Sequence, residues 1–385
     1  MRKALSAILV FLKKETILCI AAVLAVVSAF PVPPSAKYIE YIDFRVLALL
    51  FCLMLVVSGL QNIGIFDSLA RHLLKKIKTT RQLLLLLTAL CFVSAMFLTN
   101  DVALITFVPF TIMILSMAGQ ENLLIPAVVL QTIAANLGSM LTPIGNPQNL
   151  YLYSFFEIPM GRFLLYMLPL TAASALLLIL AIFFVKNHPL TGLPANLPDP
   201  TPETVIPPVI PKAKLLAYLF LFAVCLACVI QVLPWQAMLA VLVAAVFLLD
   251  RKSFVRVDYF LLLTFVCFFL FIGNVKQFPA VTDFLRSLIE KRELLLGILS
   301  SQFISNVPAA ILLSGFARDS RALLYGVNLG GMGTLIASLA SVISFQLYGN
   351  SKGASKGAYL KTFTLYNLIF LLLLTAMAVL LLTVF

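Results

Sequence analysis

The sequence predicts an all-α polytopic membrane protein, an inverted repeat of transmembrane helices in which each repeat holds a re-entrant hairpin and a broken helix, with about nine full spans plus two hairpins. Three observations carry this expectation. The chain is 62% hydrophobic and only 11% charged, with a mean hydropathy of +1.09, whereas ordinary soluble domains are roughly 45–50% apolar and about 25% charged. Charge-free apolar runs approach the roughly 20 residues that a helix needs to cross a hydrocarbon core about 30 Å thick. Motifs of the first half recur, in the same order, in the second. Such a composition excludes a soluble enzyme. The excess of 27 Lys and Arg over 15 Asp and Glu lies in short loops between apolar runs, so it reads as membrane orientation and not as nucleic-acid binding.

Residues 1–42 come first. Arg2, Lys3, Lys13 and Lys14 precede an apolar run from Thr16 to Phe30 that ends in prolines rather than a small-residue cleavage site, which predicts a retained first span. Full spans are expected near 16–33, 46–66, 123–156, 163–185, 215–233, 236–249, 259–275, 322–348 and 362–385. Residues 82–118 and 294–317 are equally apolar but are interrupted by Thr99-Asn100-Asp101 and by Ser305-Asn306. For the first stretch, the alternatives are a re-entrant hairpin or two complete spans around an exposed turn. The legs of the second, about 294–304 and 309–317, are too short to cross, and symmetry then favours re-entrance for both. The chain therefore divides into a first repeat (43–185), a proline-rich cytoplasmic linker (186–214), connecting helices (215–256), a second repeat (257–350) and a C-terminal helix (351–385). With the N-terminus inside, roughly two thirds of the Lys and Arg residues fall on the cytoplasmic side, as the positive-inside rule requires.

The repeat is read from paired residues. Asp43, Arg71, Leu73 and Lys76 match Asp258, Arg286, Leu288 and Lys291; Phe97, Thr99 and Asn100 match Phe303, Ser305 and Asn306; Asn136-Leu137-Gly138, Met140, Thr142 and Ile144 match Asn328-Leu329-Gly330, Met332, Thr334 and Ile336. The first copy starts outside and the second inside, so the two are antiparallel, the arrangement on which many secondary transporters build alternating access to a midplane site. In each copy an amphipathic segment (Asp67 to Lys78, Pro279 to Glu293) leads into the hairpin, and a broken span follows it.

The first broken span, Ala135 to Asn149, contains Gly138, Pro143, Gly145 and Pro147. These cannot continue an α-helix without freeing backbone groups, each costing several kcal/mol in hydrocarbon unless it is packed in protein or lines a wet cavity. The freed carbonyls, with Thr142, Asn146 and Asn149, are hard oxygen ligands suited to Na⁺, while the half-helix N-termini favour an anion. A proline kink with polar packing residues is the plainer reading; the polar set mirrored at Asn328, Thr334, Ser338 and Ser341 favours a site. Asp101 lies deep in apolar sequence, where an ionisable group is by default a functional candidate. Thr99, Asn100, Ser305 and Asn306 can also cap the returning half-helices, with Pro308 in the first turn. The six cysteines fall in apolar runs and imply no disulfides, Cys225 and Cys228 form an isolated C-x-x-C, and the two histidines sit in polar segments. With neither a metal cluster nor a nucleophile–base pair, no catalytic residue and no cofactor is expected.

Together, Thr99-Asn100-Asp101, the Thr-Pro-Ile-Gly-Asn-Pro-Gln-Asn run ending at Asn149, and Ser305-Asn306-Val307-Pro308 resemble the signatures of the ion transporter superfamily. This group includes divalent anion:sodium symporters, citrate-metal transporters, arsenite efflux permeases and one type of sodium/proton antiporter. The resemblance spans residues 43 to 385 and is strongest to short bacterial permeases of unassigned substrate. It implies that the hairpin tips, Ser-Asn-Thr in the symporter branch, bind Na⁺ and substrate carboxylate, which carries over to Thr99, Asn100, Ser305 and Asn306. Asp101 and Val307 stand where that branch has threonine, and the acidic tip is more similar to the arsenite and sodium/proton branches. The second break has Thr334-Leu335-Ile336-Ala337-Ser338-Leu339 in place of a Thr-Pro-Gly-Asn-Pro run, which weakens its cation site. The resemblance further implies a homodimer in the cytoplasmic membrane with elevator-like motion. The resulting expectation is a secondary active transporter of a small anion or oxyanion (carboxylate, arsenite-like or sulfate-like), coupled to Na⁺ or H⁺; the alternative is a sodium/proton antiporter with no organic substrate. Substrate contacts are expected from Thr99, Asn100, Asn146, Pro147, Ser305, Asn306, Asn328 and Thr334, and ion coupling from Asn100, Asp101, Thr142, Gly145, Asn146, Asn149 and Ser338. A Na⁺ site is expected at Asn100, Thr142, Asn146 and Asn149.

Overall fold

Asp43 and Asp258 each open a long apolar helix by accepting a backbone N–H three residues on, from Val46 at 3.0 Å and from Leu261 at 2.9 Å, with nearly the same backbone angles. This is N-capping by a side-chain oxygen. In the computed structural model, which describes residues 15–74, 77–190 and 211–384, these two caps start matching successions of helices. Residues 1–14, Lys75, Lys76 and linker positions 191–210 lie outside the described residues.

The first succession follows α1 (Thr16–Ala29) and the short α2 (Lys37–Tyr41). It runs α3 (Phe44–Asn62), α4 (Ile65–Leu74), α5 (Thr80–Leu98), α6 (Asn100–Met117), α7 (Leu124–Ser139), α8 (Pro147–Phe155) and α9 (Met160–Phe183). Two connecting helices, α10 (Lys212–Val229) and α11 (Trp235–Leu249), lead to the second. That one runs α12 (Tyr259–Val275), α13 (Pro279–Ile289), α14 (Glu293–Ile304), α15 (Asn306–Ser314), α16 (Ser320–Gly330), α17 (Leu339–Gly349) and α18 (Lys356–Val384). Among the described residues the only β feature is an isolated bridge, Thr79 to Pro189.

Among the described residues, six of these helices (α3, α5, α6, α9, α10 and α18) and the stretch Glu121–Ser139, in which a 3-10 turn leads into α7, are long and apolar enough to cross a bilayer, or eight spans in all if the bent pair α12 and α13, which turn by 110°, is counted as one. The expected nine full spans are not nine long helices. The 14-residue α1 and 15-residue α11 reach only about 21–23 Å at 1.5 Å per residue, and the expected span 322–348 is split into α16 and α17. Conversely α5 and α6, with 19 and 18 residues, are each about 27–28 Å long, so length alone lets either leg of the first hairpin cross. The second hairpin keeps its short legs, 12 residues in α14 and 9 in α15. The second amphipathic segment ends earlier than expected, at Ile289.

Polar ties at helix ends pair termini that the charge-based topology puts on one side. Asn62 donates to Asp250 at 3.0 Å and accepts from Arg256, joining the ends of α3 and α11. Arg81 at the start of α5 donates to the carbonyls of Phe183 (2.8 Å) and Val185 (3.0 Å) at the end of α9. At the opposite termini Asn274 of α12 donates to Ser28 at 3.0 Å, and Arg321 of α16 donates to the Leu381 carbonyl at 2.7 Å. Long peripheral helices present apolar rows outward, with Leu165 69% and Leu372 70% exposed, as a lipid-facing surface must. By contrast α7 and α8 are buried almost throughout. Close approach of helices depends on small residues: Gly138 abuts the Phe92 carbonyl, and Gly326 sits against Gly297 and the Leu294 carbonyl.

Candidate functional site

The first break begins where α7 ends, at Ser139. Asn146, in extended conformation, caps α8 by accepting from the Asn149 N–H at 2.9 Å, and Pro147 occupies the first turn, where no donor is lost. The freed carbonyls of Ser139, Met140 and Thr142 converge on one donor, the Asn149 side-chain nitrogen, at 3.4, 3.1 and 3.2 Å. Gly145 is required here, because a Cβ would overlap the Ser139 carbonyl. The first hairpin docks on this turn: Asn100 N–H donates to the Gly145 carbonyl at 3.2 Å, and the Thr142 hydroxyl donates to the Met96 carbonyl.

At the second break, between Gly330 and Leu339, the same relations recur with different side chains. The Thr334 hydroxyl donates to the Gln302 carbonyl at 3.1 Å, as Thr142 does to Met96. The tip residue Ser305 donates its hydroxyl to the Ala337 carbonyl at 3.4 Å, whereas the first tip docks through the Asn100 backbone N–H on Gly145. Thr99 and Ser305 share a left-handed backbone (φ 83, ψ 149 and φ 70, ψ 156), a strained conformation for residues bearing a Cβ.

Two crossed asparagines lock the breaks together. Asn328, from the end of α16, accepts from Asn146 at 3.2 Å and donates to Asn149 at 2.6 Å. Asn136, from the end of α7, accepts from Ser338 at 3.0 Å and donates to Ser341 at 3.4 Å. Asn136 also accepts from Asn100 at 3.0 Å, which adds the first hairpin tip to the lock. All of these side chains are buried. Three helix N-termini, those of α6, α8 and α17, thus meet around one polar seam with freed carbonyls beside them, and the start of α15 adjoins it through the bond from Ser305 to Ala337.

The structure brings Asn100, Gly145, Asn146, Pro147, Asn149, Asn328 and Ser338 into that seam, with Thr142 at its edge. Ser305 and Asn306 are buried at the second tip, where the Asn306 amide stands against Gly331. Thr334 is exposed. Thr99 forms the strained tip and makes no side-chain cap. Of the expected Na⁺ ligands, the Asn100, Asn146 and Asn149 oxygens each already accept an N–H, from Asp101, Asn149 and Asn328 in turn. Asp101 has one carboxylate oxygen buried with no hydrogen-bond partner among the described residues. Among those residues no group of three or more His, Cys, Asp or Glu could hold a metal. Asn136, Ser139 and Gln302 belong to the site although sequence reasoning did not select them. The match of Asn136 to Asn328 was a usable signal; Gln302, which aligns with an apolar methionine, left none.

An apolar helical bundle that buries broken helices and their polar caps at its centre defines a polytopic membrane transporter. The family model described as citrate transporter matches residues 7–321, and the chain belongs to that family. It is 31% identical over 311 residues to an uncharacterized transporter of Methanocaldococcus jannaschii, covering 80% of this chain and 81% of the relative. It is 34% identical over 313 residues to the inner membrane protein YbiR of Escherichia coli K12, covering 80% of each. A shorter match, 35% over 129 residues, links 33% of this chain to 26% of a silicon efflux transporter of Oryza sativa. The protein is a multi-pass membrane transporter and not an enzyme.

Proposed function

We propose that the protein is a secondary active transporter that moves a small anion or oxyanion across the cytoplasmic membrane, coupled to Na⁺ or H⁺. The observation that carries this reading is the polar seam: helix N-termini able to receive an anion lie beside freed carbonyls able to receive a cation, buried among apolar helices. The matched caps, tips and crossed asparagines support an inverted repeat with re-entrant tips, the design in which one midplane site is opened alternately to each side. Asn100, Asn146 and Asn149 exchange their internal hydrogen bonds for ion contacts, and the tips with Asn306 contact substrate. Membership of the citrate transporter family favours a carboxylate; the partial match to a silicon efflux transporter favours an oxyanion or its neutral oxyacid.

Purified protein in liposomes loaded with a pH-sensitive dye tests the reading. Internal pH is followed after addition of Na⁺ alone, then of Na⁺ with citrate, succinate, sulfate, arsenite or silicate. A signal that requires one of the anions names the substrate class. A signal with Na⁺ alone establishes the second reading, a sodium/proton antiporter, which is favoured by the unpartnered buried oxygen of Asp101. In both readings Asp101 is the coupling group, neutralised by a proton or by a cation. Asp101→Asn is therefore expected to abolish dependence of transport on the pH or sodium gradient, and unchanged coupling in that variant would remove Asp101 from the mechanism.

A further inference from the structure

The two breaks hold their freed carbonyls with amide nitrogens that come from different places. In the first, the donor is Asn149, from the half-helix that follows the break, with three contacts of 3.1–3.4 Å. In the second, the residue aligned with Asn149 is Ser341, too short to do this, and the donor is Gln302, from the hairpin leg α14. Its side-chain nitrogen donates to the carbonyls of Gly330 (2.9 Å), Met332 (2.9 Å) and Ile298 (3.1 Å), and its oxygen accepts the Thr334 N–H at 2.8 Å. The orientation of this carboxamide is fixed, because a backbone N–H can only donate and a carbonyl can only accept. The fit is close: Gly333 has φ +103, and a Cβ there would overlap the Gln302 oxygen. At the aligned position of the first repeat stands Met96, which has no such donor.

An NH₂ group seated among converging carbonyls occupies the place, and meets the electrostatic demand, of a monovalent cation. We propose that the Gln302 carboxamide is a built-in substitute for a cation at the second break, so that the second half of the site keeps its shape with no ion bound. The proposal rests on the reading of the two breaks as halves of one transport site. It differs for the two halves because the Asn149 nitrogen is held by longer bonds and its oxygen by the side chain of Asn328, whereas Gln302 is gripped at both ends by the backbone. Any coupling cation is then confined to the first half, and the second is left to the substrate through Ser305 and Asn306.

The decisive variant is Gln302→Glu, which keeps the oxygen facing the Thr334 N–H but turns an anionic oxygen toward the Gly330 and Met332 carbonyls. Only a cation or a proton can bridge that contact. Full-length wild type, Gln302→Glu and Gln302→Met are purified in detergent at a fixed pH well above ordinary carboxylate values. Their thermal unfolding midpoints are then followed as Na⁺ replaces choline, with ²²Na⁺ binding measured in parallel. The expected result is that Gln302→Glu gains a rise of midpoint with Na⁺ beyond that of wild type, and one further Na⁺ bound per chain. Gln302→Met is expected to lose stability in choline and to recover part of it in Na⁺. A purely structural glutamine predicts equal loss at every Na⁺ concentration, and that result in both variants overturns the proposal. If Gln302→Glu folds in neither salt, Gln302→Met decides alone. Wild type insensitive to Na⁺ with a sensitive Gln302→Glu removes sodium coupling at the first break and leaves the proposal standing. A sensitive wild type with unchanged variants does the reverse.

Discussion

Gly145 has no room for a side chain, since a Cβ would overlap the carbonyl of Ser139, one of the three that Asn149 gathers. Gly145→Ala must push the turn away from the first hairpin tip, where the Asn100 N–H meets the Gly145 carbonyl. We expect a loss of about 1–3 kcal/mol from overpacking and the loss of transport. Gly161, in the first turn of α9, faces open space, and Gly161→Ala is expected to be neutral or stabilising by up to about 1 kcal/mol. Thermal unfolding in detergent reads both, and equal midpoints for the two variants would contradict the fit inferred for Gly145. At this scale the sequence was partly legible. Asn146 and Asn149 were readable because the Asn-Pro step and the following asparagine form a recognisable helix start. Asn136 reads in the sequence only as a repeat marker, because a lone asparagine inside an apolar run looks the same whether it braces packing or spans two halves. Its three partners lie at sequence distances up to 205 residues, with no local pattern.

Helices in this bundle are tied end to end as well as side by side; the start of α5 meets the end of α9 through Arg81 and through bonds of Thr80 to Lys186 and His188. The Arg81 guanidinium donates to the Phe183 and Val185 carbonyls and lies 5.2 Å from the Phe183 ring centre, so it satisfies two orphan carbonyls and the negative end of the α9 dipole. Arg81→Gln is expected to cost about 0.5–2 kcal/mol and to raise amide exchange selectively in the last turn of α9 and the first turn of α5. Exchange unchanged in both turns would show that the Thr80 bonds and the backbone bridge hold this end without the guanidinium. The element succession was largely legible because hydrophobic runs, prolines and polar tips punctuate it. Lengths were less so. The apolar stretch expected to begin at residue 82 is preceded by two helical residues, because Thr79, by accepting the Gln82 N–H, starts α5 at Thr80. Apolarity marks where lipid or core is, and capping decides where the helix starts.

On the scale of the molecule, the matched successions from α3 to α9 and from α12 to α18 require a decision about direction. Two copies of one design could be parallel or inverted, and only inversion lets each hairpin tip reach the same seam from opposite faces of the bilayer. The ends of the first hairpin lie with Arg81, Phe183 and Val185; those of the second lie with Arg318, whose guanidinium pairs with Glu290 at 2.8 Å. Sequence could suggest inversion from the positions of Lys and Arg. It could not reveal the crossed bonds, in which the matched residues Asn136 and Asn328 each reach the break of the other half, remote in the chain. The test is single cysteines at two exposed positions, Glu121→Cys beside the first hairpin and Arg292→Cys beside the second, probed with a membrane-impermeant maleimide. Of the native cysteines, Cys52, Cys91, Cys225 and Cys228 are buried, and Cys19 and Cys267 lie in apolar helices, so the background is low. With the N-terminus inside, Glu121→Cys is expected to react only in inside-out vesicles and Arg292→Cys only in right-side-out ones. Labelling of both from one side would make the copies parallel, and a seam reached by both tips would then require one hairpin to cross the bilayer completely. The lengths of α5 and α6 permit that and those of α14 and α15 do not. The outcome at Arg292 therefore carries the weight of the inverted-repeat reading.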